Sequence, residues 1–253
     1  MSNVKRVVSV GAHSLDAEIL GGPLMLKYAK QGAHCTCVHV TQGRLEDPNA
    51  TEEAKQAYLK ELLNQNKRAA EKLNADAIWL GYVSSNMPSL EEYAARMEQY
   101  FVDEKVDLVI THWRGSMHPR HINTSDAVTA AVKHLREKGS NIRLVYGENF
   151  EDLVGFIPQA YFKLEPEEVE QWFLALKEYS VFRGEVNDFP YTEYYPEEKL
   201  KDLKEIYTGK FAGIGSLIRY NPKLKYTVID EPYKEEWDKL KMWDLVCKNG
   251  EET

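Results

Sequence analysis

Two short polar segments of the sequence carry histidine and aspartate residues at spacings suited to metal chemistry. The first spans residues 11–18 and contains His13 and Asp16, and the second spans residues 112–121 and contains three histidines. An apolar, β-type run comes directly before each segment. Imidazole nitrogens and carboxylate oxygens are good zinc ligands. We therefore interpret the segments as two halves of one metal site.

The predicted site has the chemistry of amide hydrolysis. His13, Asp16 and His121 provide three protein ligands, which leaves a fourth position on a zinc ion for water. Zinc lowers the pKa of its water to about 7 and polarises a substrate carbonyl. Both effects favour attack of water on an amide, so the two segments predict a zinc-dependent hydrolase.

The elements that must position these residues form a predicted parallel sheet. Short apolar runs alternate with helical patterns, which is typical of a sheet that is covered by helices on both faces. The runs lie at residues 4–10, 35–40, 77–80, 106–110 and 142–146. Ligands bind beyond the carboxyl ends of such strands, where the winding reverses. In the common strand order 3-2-1-4-5, that point lies between the first and fourth strands, which precede the two polar segments.

Helical patterns complete a predicted α/β fold, a Rossmann-like three-layer parallel sheet. The first helix spans residues 15–30 and is expected to break or kink at Gly21, Gly22 and Pro23. Asn123 is the predicted N-cap of the helix that follows the second polar segment. The other predicted elements are helices at 54–73, 90–104, 123–138 and 166–182 and a strand at 156–164.

Length and patterning predict one domain with a C-terminal extension. The chain has 253 residues, which is enough for one sizeable α/β core. We place the α/β domain at residues 1–194. Residues 195–253 are rich in Tyr, Lys, Glu and Trp, and we expect them to pack on the same domain. This aromatic-rich segment also offers surface for a homo-oligomer.

Composition and charge argue against several classes of partner. The 32 Lys and Arg residues against 40 Asp and Glu residues give a formal charge of −8, which opposes binding to nucleic acid and anionic lipid. No run approaches the roughly 18 apolar residues of a membrane span, and residues 1–6 pass into a strand without an apolar leader. The 3 cysteines have no disulfide-framework spacing. We expect a cytoplasmic protein that acts on a small molecule.

Five short motifs follow one another in a fixed order along the predicted sheet. They are Ala12-His13-Ser14-Leu15-Asp16-Ala17-Glu18, Gly21-Gly22, Thr41-Gln42-Gly43, Leu80-Gly81-Tyr82 and His118-Pro119-Arg120-His121. Over residues 4–185, their order and spacing resemble the PIG-L or LmbE-like family of zinc-dependent de-N-acetylases, whose motifs read AHPDD(A)E, GG, T-x-G, L-G-Y and HPDH. The resemblance implies removal of an acetyl group from an N-acetylglucosaminyl compound, that is, an N-acetylated sugar or glycoside.

The resemblance also implies a role for each residue that matches a motif position. His13, Asp16 and His121 would bind Zn²⁺. His118 would stabilise the oxyanion or protonate the leaving amine. These assignments agree with the ligand set that the residue types themselves suggest.

Two more residues are predicted to bind substrate. Arg44 lies after the second predicted strand, where it either holds a substrate carboxylate or phosphate by a bidentate contact or forms a surface ion pair. His112 ends the fourth strand, where it either lines the pocket or has a structural role. The sequence leaves these alternatives open.

Two family carboxylates are missing from this sequence. The general base of the first motif falls on Leu15, and the aspartate that orients the first histidine of the HPDH motif falls on Arg120. General base assistance is typically worth about 10²- to 10⁴-fold, and leucine cannot accept a proton. Glu18 and His118 are the alternatives for this role. We expect either a de-N-acetylase that uses another base or a catalytically impaired member that binds zinc or sugar.

Overall fold

A seven-stranded sheet forms the centre of the protein. The computed structural model describes residues 4–45, 47–116, 118–180 and 224–229. Within these residues the strands are β1 (Arg6–Gly11), β2 (His34–Gln42), β3 (Ala75–Val83), β4 (Leu108–His112), β5 (Arg143–Gly147), β6 (Ala160–Lys163) and β7 (Leu224–Ile229). They lie side by side in the order β3-β2-β1-β4-β5-β7-β6.

The first five strands are parallel, as the alternation of apolar runs and helices predicts. β1 lies between β2 and β4 and is parallel to both, and the strand order 3-2-1-4-5 is confirmed. β7, which lies in the predicted C-terminal extension, is antiparallel to β5 and to β6. The α/β fold class is therefore confirmed, with the correction that the sheet is mixed beyond β5 rather than parallel throughout.

Helices cover both faces of the sheet and complete three layers. The described helices are α1 (Asp16–Ala29), α2 (Glu52–Lys72), α3 (Leu90–Asp103), α4 (Pro119–Glu137) and α5 (Pro166–Leu176). Side chains alternate across each strand, so Val7 of β1 packs with α1, α2 and α5 on one face, whereas Val8 packs with α3 and α4 on the other. None of the described helices is long and apolar enough to cross a membrane.

The first helix runs without interruption through Gly21, Gly22 and Pro23, so of the break or kink that the sequence suggested, the break does not occur. Pro23 has no N–H to donate within the helix. Most of α1 is nevertheless buried, and the Trp172 Nε1 of α5 donates a hydrogen bond of 2.9 Å to the Glu18 carbonyl oxygen. Tertiary packing thus outweighs the unfavourable helix propensity of proline.

The helix after the second polar segment begins before Asn123. α4 starts at Pro119, and the His118 imidazole caps it by accepting a hydrogen bond of 3.3 Å from the Arg120 N–H. Proline suits the first position of a helix because its missing N–H would have no partner there. Asn123 therefore lies inside α4, and its predicted role as N-cap is wrong. The earlier start brings His118 and His121 to the same end of the helix.

Gly21 allows α1 to approach the sheet closely. A Cβ atom at this position would lie 2.6 Å from the Ser9 Cβ and 3.1 Å from the Ile110 Cδ1. The Ser9 hydroxyl donates a hydrogen bond of 2.7 Å to the Ala17 carbonyl oxygen, which ties α1 to β1. Because α1 begins at Asp16, this packing fixes where Asp16 meets the second polar segment.

Replacing Gly21 by alanine is expected to destabilise the protein. Alanine gains about 1 kcal/mol of helix propensity over glycine, whereas overpacking typically costs about 1–3 kcal/mol. We expect Gly21→Ala to lower the free energy of unfolding in urea, because the Ser9 Cβ belongs to the sheet and cannot move aside. In the matched control Gly22→Ala, the atoms nearest to the new Cβ would be side-chain atoms of Trp172 and Leu73 at 3.0–3.2 Å, farther away than the Ser9 Cβ is from a Cβ at Gly21, and the loss should be smaller. Equal or higher stability of Gly21→Ala would contradict this explanation.

Candidate metal site

The structure brings the two polar segments together at the carboxyl ends of β1 and β4. His13 and Asp16 lie where β1 passes into α1, and His112 is the last residue of β4. His118 and His121 lie at the start of α4. The rings of His118 and His121 stack with centroids 4.6 Å apart, and the His13 ring lies 4.7 Å from that of His118. The five side chains therefore form one cluster.

The two residues predicted to bind substrate have different surroundings. Arg44 is exposed in the loop that follows β2, at the same edge of the sheet as the cluster. His112 is fully buried. Its Nε2 accepts a hydrogen bond of 3.0 Å from the Ala12 N–H, and its Nδ1 lies 2.7 Å from the Asp152 Oδ2. This position suits a residue that holds the site together rather than one that contacts substrate.

Hydrogen bonds fix the turn between β1 and α1 around Asp16. The Asp16 Oδ2 accepts from the His13 N–H at 2.8 Å and lies 3.1 Å from the His13 Nδ1. The Thr41 hydroxyl of β2 donates to the Ala12 carbonyl oxygen at 2.7 Å. With the bond from Ala12 to His112, the turn is attached to both neighbouring strands. The first polar segment is thus held in place before any ligand binds.

Leu15 occupies a strained position in this turn. Its φ is 84°, in the left-handed region. Such a backbone costs about 1–3 kcal/mol for a residue other than glycine, and aspartate and asparagine adopt it more readily than leucine. The side chain is partly buried against the core that α1, α2 and α5 form. Leu15 therefore offers the site no polar atom, at a position whose backbone suits an aspartate.

Asp152 is a site residue that the sequence analysis missed. It ends a 3-10 turn, Phe150–Asp152, that follows β5, and it is completely buried. Its Oδ2 lies 2.7 Å from the His112 Nδ1, and its Oδ1 lies 2.8 Å from the His121 Nδ1. Burial raises the pKa of Asp152, but the hydrogen bonds from His112 and His121 outweigh it and hold the pKa at about 2. An acidic residue just after the strand beside β4 was the signal that could have found it.

Hydrogen bonding decides which imidazole nitrogens are free to bind a metal. Two overlapping groups have donor atoms within 4.8 Å of one another, namely His13, His118 and His121, and Asp16, His112 and His121. A neutral imidazole has one nitrogen with a free lone pair, and that lone pair accepts either a hydrogen bond or a metal. The His112 Nε2 accepts from Ala12, and the His118 Nδ1 accepts from Arg120. The lone pairs of these two rings are therefore engaged.

The remaining donors, on His13, Asp16 and His121, suit a zinc ion by chemical type, and His121 belongs both to the group that contains His13 and to the group that contains Asp16. The His121 Nδ1 donates to Asp152, which leaves Nε2 free at 3.4 Å from the Asp16 Oδ2. The His13 Nδ1 donates to the Asp16 carboxylate, which leaves Nε2 free on this ring as well. A carboxylate that fixes the outer nitrogen of a ligand histidine is usual in metal sites. Two imidazoles and one carboxylate leave a fourth position open.

The pKa values of His121 and His118 shift in opposite directions. Burial lowers the pKa of His121, but the carboxylates of Asp16 and Asp152 outweigh it and raise the pKa to about 10. In the absence of a metal, the His121 Nε2 therefore carries a proton. Burial and the neighbouring imidazoles of His13 and His121 lower the pKa of His118 to about 4. The His118 ring is therefore neutral at pH 7.

Asp152→Asn is expected to weaken zinc binding by about 10- to 100-fold, the usual effect of changing a group that supports a ligand histidine. An amide presents its oxygen at only one of the two positions, so its NH2 group would face the N–H of either His112 or His121. Competition with a chromogenic chelator measures the affinity. Asp103→Asn removes the same charge at the exposed end of α3 and serves as the control. Wild-type affinity in Asp152→Asn would contradict the supporting role.

Zinc affinity is expected to rise with pH. The zinc ion must displace the His121 proton, whose pKa is raised to about 10, so each ion should release about one proton and the affinity should rise about tenfold per pH unit below that pKa. Calorimetry in buffers of different ionisation enthalpy measures the release. A pH-independent affinity would contradict the assignment.

The raised pKa of His121 also affects the stability of the metal-free protein. Protonated His121 stabilises the fold below the ordinary histidine pKa of 6.5, and this contribution is lost as the pH rises through about 10. The free energy of unfolding of the metal-free protein should therefore fall between these two pH values.

A protein-family model matches residues 8–132 of the chain. It is described as PIG-L: GlcNAc-PI de-N-acetylase. The matched stretch contains both polar segments, whereas Asp152 lies outside it. No curated protein matches the chain.

Three similar solved structures include one hydratase and two deacetylases. GalB, the 4-carboxy-2-hydroxymuconate hydratase from Pseudomonas putida KT2440, is 15% identical with a TM-score of 0.63, over 89% of this chain and 95% of that chain. A deacetylase in the biosynthesis pathway of teicoplanin is 18% identical with a TM-score of 0.62, over 90% of this chain and 99% of that chain. N,N'-diacetylchitobiose deacetylase from Pyrococcus horikoshii is 17% identical with a TM-score of 0.63, over 90% of this chain and 84% of that chain. These likenesses show a shared fold.

Proposed function

Since the chain belongs to the PIG-L family, we propose that it is a zinc-dependent hydrolase of the de-N-acetylase type, which cleaves the amide bond of an N-acylated sugar or a related compound. The observation that carries the proposal is the cluster of His13, Asp16 and His121, in which each imidazole donates its Nδ1–H to a carboxylate and so presents its Nε2 for a metal. The two deacetylases of similar fold support the same reaction class. Because a hydratase shares the fold, the family match and the donor set carry more weight than the fold.

His13, Asp16 and His121 would hold the zinc ion. When bound, zinc lowers the pKa of a water molecule to about 7 and polarises the substrate carbonyl. Asp152 keeps His121 in the tautomer whose Nε2 can bind the metal, because the Asp152 Oδ1 accepts a hydrogen bond of 2.8 Å from the His121 Nδ1–H. His112 occupies the other oxygen of Asp152 at 2.7 Å and so fixes the carboxylate.

His118 supplies a hydrogen-bond donor for the transition state. Its Nδ1 accepts from the Arg120 N–H at 3.3 Å, so the hydrogen of the neutral ring lies on Nε2. With a pKa lowered to about 4, this ring donates a hydrogen bond at pH 7 without transferring a proton. Such a donor stabilises the negative charge that develops on the carbonyl oxygen as water adds to the carbonyl carbon. We therefore assign His118 to the oxyanion rather than to protonation of the leaving amine.

The proposed substrate is a small N-acetylated sugar or glycoside, which Arg44 would contact from the loop after β2. The net charge of −8 opposes nucleic acid as a partner. We also propose that residues 1–194 form the α/β domain, that residues 195–253 are its extension, and that the protein is a cytoplasmic homo-oligomer. Sedimentation velocity of the full chain tests the oligomer.

A catalytically impaired protein that binds zinc or a sugar is the second candidate. Leu15 favours it, because the side chain at the position of the family's general base packs against the core and has no atom that accepts a proton. Arg120 favours it as well, since it replaces the aspartate of the second motif. In that case the fold and the metal ligands would serve binding alone.

Metal analysis and acetate release test the proposed hydrolase. We expect about one equivalent of zinc per chain, and His13→Ala and His121→Ala should each lose most of it because each removes one of three protein ligands. The wild type should release acetate from N-acetylglucosamine or N,N'-diacetylchitobiose. His34→Ala, at an exposed position of β2, is the control and should keep both properties. Wild-type protein that binds no zinc, or whose zinc is unaffected by both ligand substitutions, would refute the proposal.

Leu15→Asp, alone and together with Arg120→Asp, separates the two candidates. Acetate release by the wild type supports the hydrolase. Release that appears only in the substituted proteins supports the impaired protein, because activity would then depend on carboxylates that the native sequence lacks.

A further inference from the structure

We propose that Glu151 supplies the proton-accepting carboxylate of this site, a role for which Leu15 has no suitable atom. The inference rests on the proposed hydrolase function. Glu151 is the middle residue of the 3-10 turn after β5 and directly precedes Asp152. A carboxylate from the β5 side of the site would thus act in place of one from the turn between β1 and α1.

The backbone of Glu151 is fixed beside the metal ligands. The Ser116 hydroxyl donates a hydrogen bond of 3.2 Å to the Glu151 carbonyl oxygen, and the Glu151 N–H donates one of 3.4 Å to the Asn149 side chain. The following residue, Asp152, is held to His121 at 2.8 Å. The side chain of Glu151 therefore starts from a defined point next to the site.

The Glu151 carboxylate lies close to the His121 nitrogen that would bind the metal. Its Oε2 is 3.8 Å from the His121 Nε2, and 43% of the Glu151 side chain is exposed. A general base must reach the proton that it accepts, directly or through one water molecule. An oxygen this close to the ligand atom meets that condition for a water molecule beside His121, and the partial exposure leaves room for water and substrate.

The other acidic side chains of the site are either engaged with neighbouring groups or enclosed away from solvent. Asp152 has a hydrogen-bonded imidazole at each oxygen, and Asp16 is a proposed zinc ligand that also accepts from the first polar segment. Glu18, one of the alternatives from the sequence, is fully buried and lies 3.3 Å from the His39 Nε2. Among these described carboxylates, Glu151 combines exposure with a position at the site.

His118, the other alternative from the sequence, has its lone pair occupied by a hydrogen bond of the fold. Its Nδ1 lone pair accepts from the Arg120 N–H, and its Nε2 carries the hydrogen. To accept a proton, the ring would have to give up the hydrogen bond that caps α4. Glu151 takes a proton without breaking a hydrogen bond of the fold, since an ionised carboxylate has free lone pairs.

The proposed step balances within the protein, the substrate and one water molecule. An O–H bond of water breaks and its proton passes to a Glu151 carboxylate oxygen, while the water oxygen forms a bond to the amide carbon and the carbonyl π pair moves onto its oxygen. The C–N bond then breaks, the carbonyl re-forms, and the proton passes from Glu151 to the departing nitrogen. Amide and water give a carboxylic acid and an amine, and Glu151 returns to its ionised form.

Glu151→Gln tests the inference, because glutamine has nearly the same shape but cannot accept the proton. We expect kcat for acetate release from N,N'-diacetylchitobiose or N-acetylglucosamine to fall about 10²- to 10⁴-fold, with KM within about threefold of wild type. Zinc affinity by chelator competition and the visible spectrum of the Co²⁺-substituted protein should be unchanged. Leu15→Asp in the Glu151→Gln background should restore part of kcat. Glu137→Gln, exposed at the far end of α4, is the matched control and should behave as wild type.

The possible results separate failure of this inference from failure of the proposed function. If the wild type hydrolyses the sugars and Glu151→Gln is equally active, Glu151 is not the base and the hydrolase stands. Loss of zinc affinity together with an altered Co²⁺ spectrum makes Glu151 a metal ligand instead and also overturns the inference. A zinc-loaded wild type that releases no acetate overturns both, whether or not Leu15→Asp is active.

Discussion

The carboxylate of Asp152 joins two imidazoles from different elements, and the arrangement of the site depends on this bridge. One oxygen meets His112 at the end of β4, and the other meets His121 in α4. A completely buried carboxylate costs several kcal/mol unless its oxygens are hydrogen-bonded, so both contacts are needed. His112 in turn accepts the Ala12 N–H. One acidic group after β5 therefore determines how β1, β4 and α4 meet.

The same bridge determines where a cation can bind. His112 cannot take a second proton without losing the hydrogen bond from Ala12 at its Nε2. The charges of Asp16 and Asp152 are balanced at both imidazoles, because they outweigh burial and raise the pKa of His112 above its ordinary value and that of His121 to about 10. In the metal-free protein a proton at the His121 Nε2 provides part of this balance. A zinc ion bound to the same nitrogen would balance the carboxylate charges with its higher positive charge. Zinc and the proton would therefore compete for the His121 Nε2.

The sequence predicts those parts of the molecule that depend on local pattern. The five parallel strands and the meeting of His13 with His121 follow from apolar periodicity and from the geometry of parallel sheets. β7 could not be assigned in this way, because it joins β5 from a segment far along the chain. The start of α4 was misjudged because asparagine is a far more common N-cap than histidine. Asp152 was missed because no histidine lies near it in the sequence, although β5, the strand before it, pairs with β4.

The geometry of Leu15 indicates what the turn between β1 and α1 is built to do. A leucine at a φ of 84° costs about 1–3 kcal/mol, and nothing at its side chain makes that backbone necessary. Asp16, the next residue, accounts for this backbone conformation, because its carboxylate must turn back to accept a hydrogen bond of 2.8 Å from the His13 N–H. The strained backbone therefore places the Asp16 carboxylate beside His13. In the proposed hydrolase, metal ligation and proton transfer fall to different elements: the ligands would come from the turn after β1, from α1 and from α4, and the proton acceptor from the 3-10 turn after β5. That separation explains how a site can have leucine at the position of a general base and still have a carboxylate, Glu151, at 3.8 Å from a ligand nitrogen.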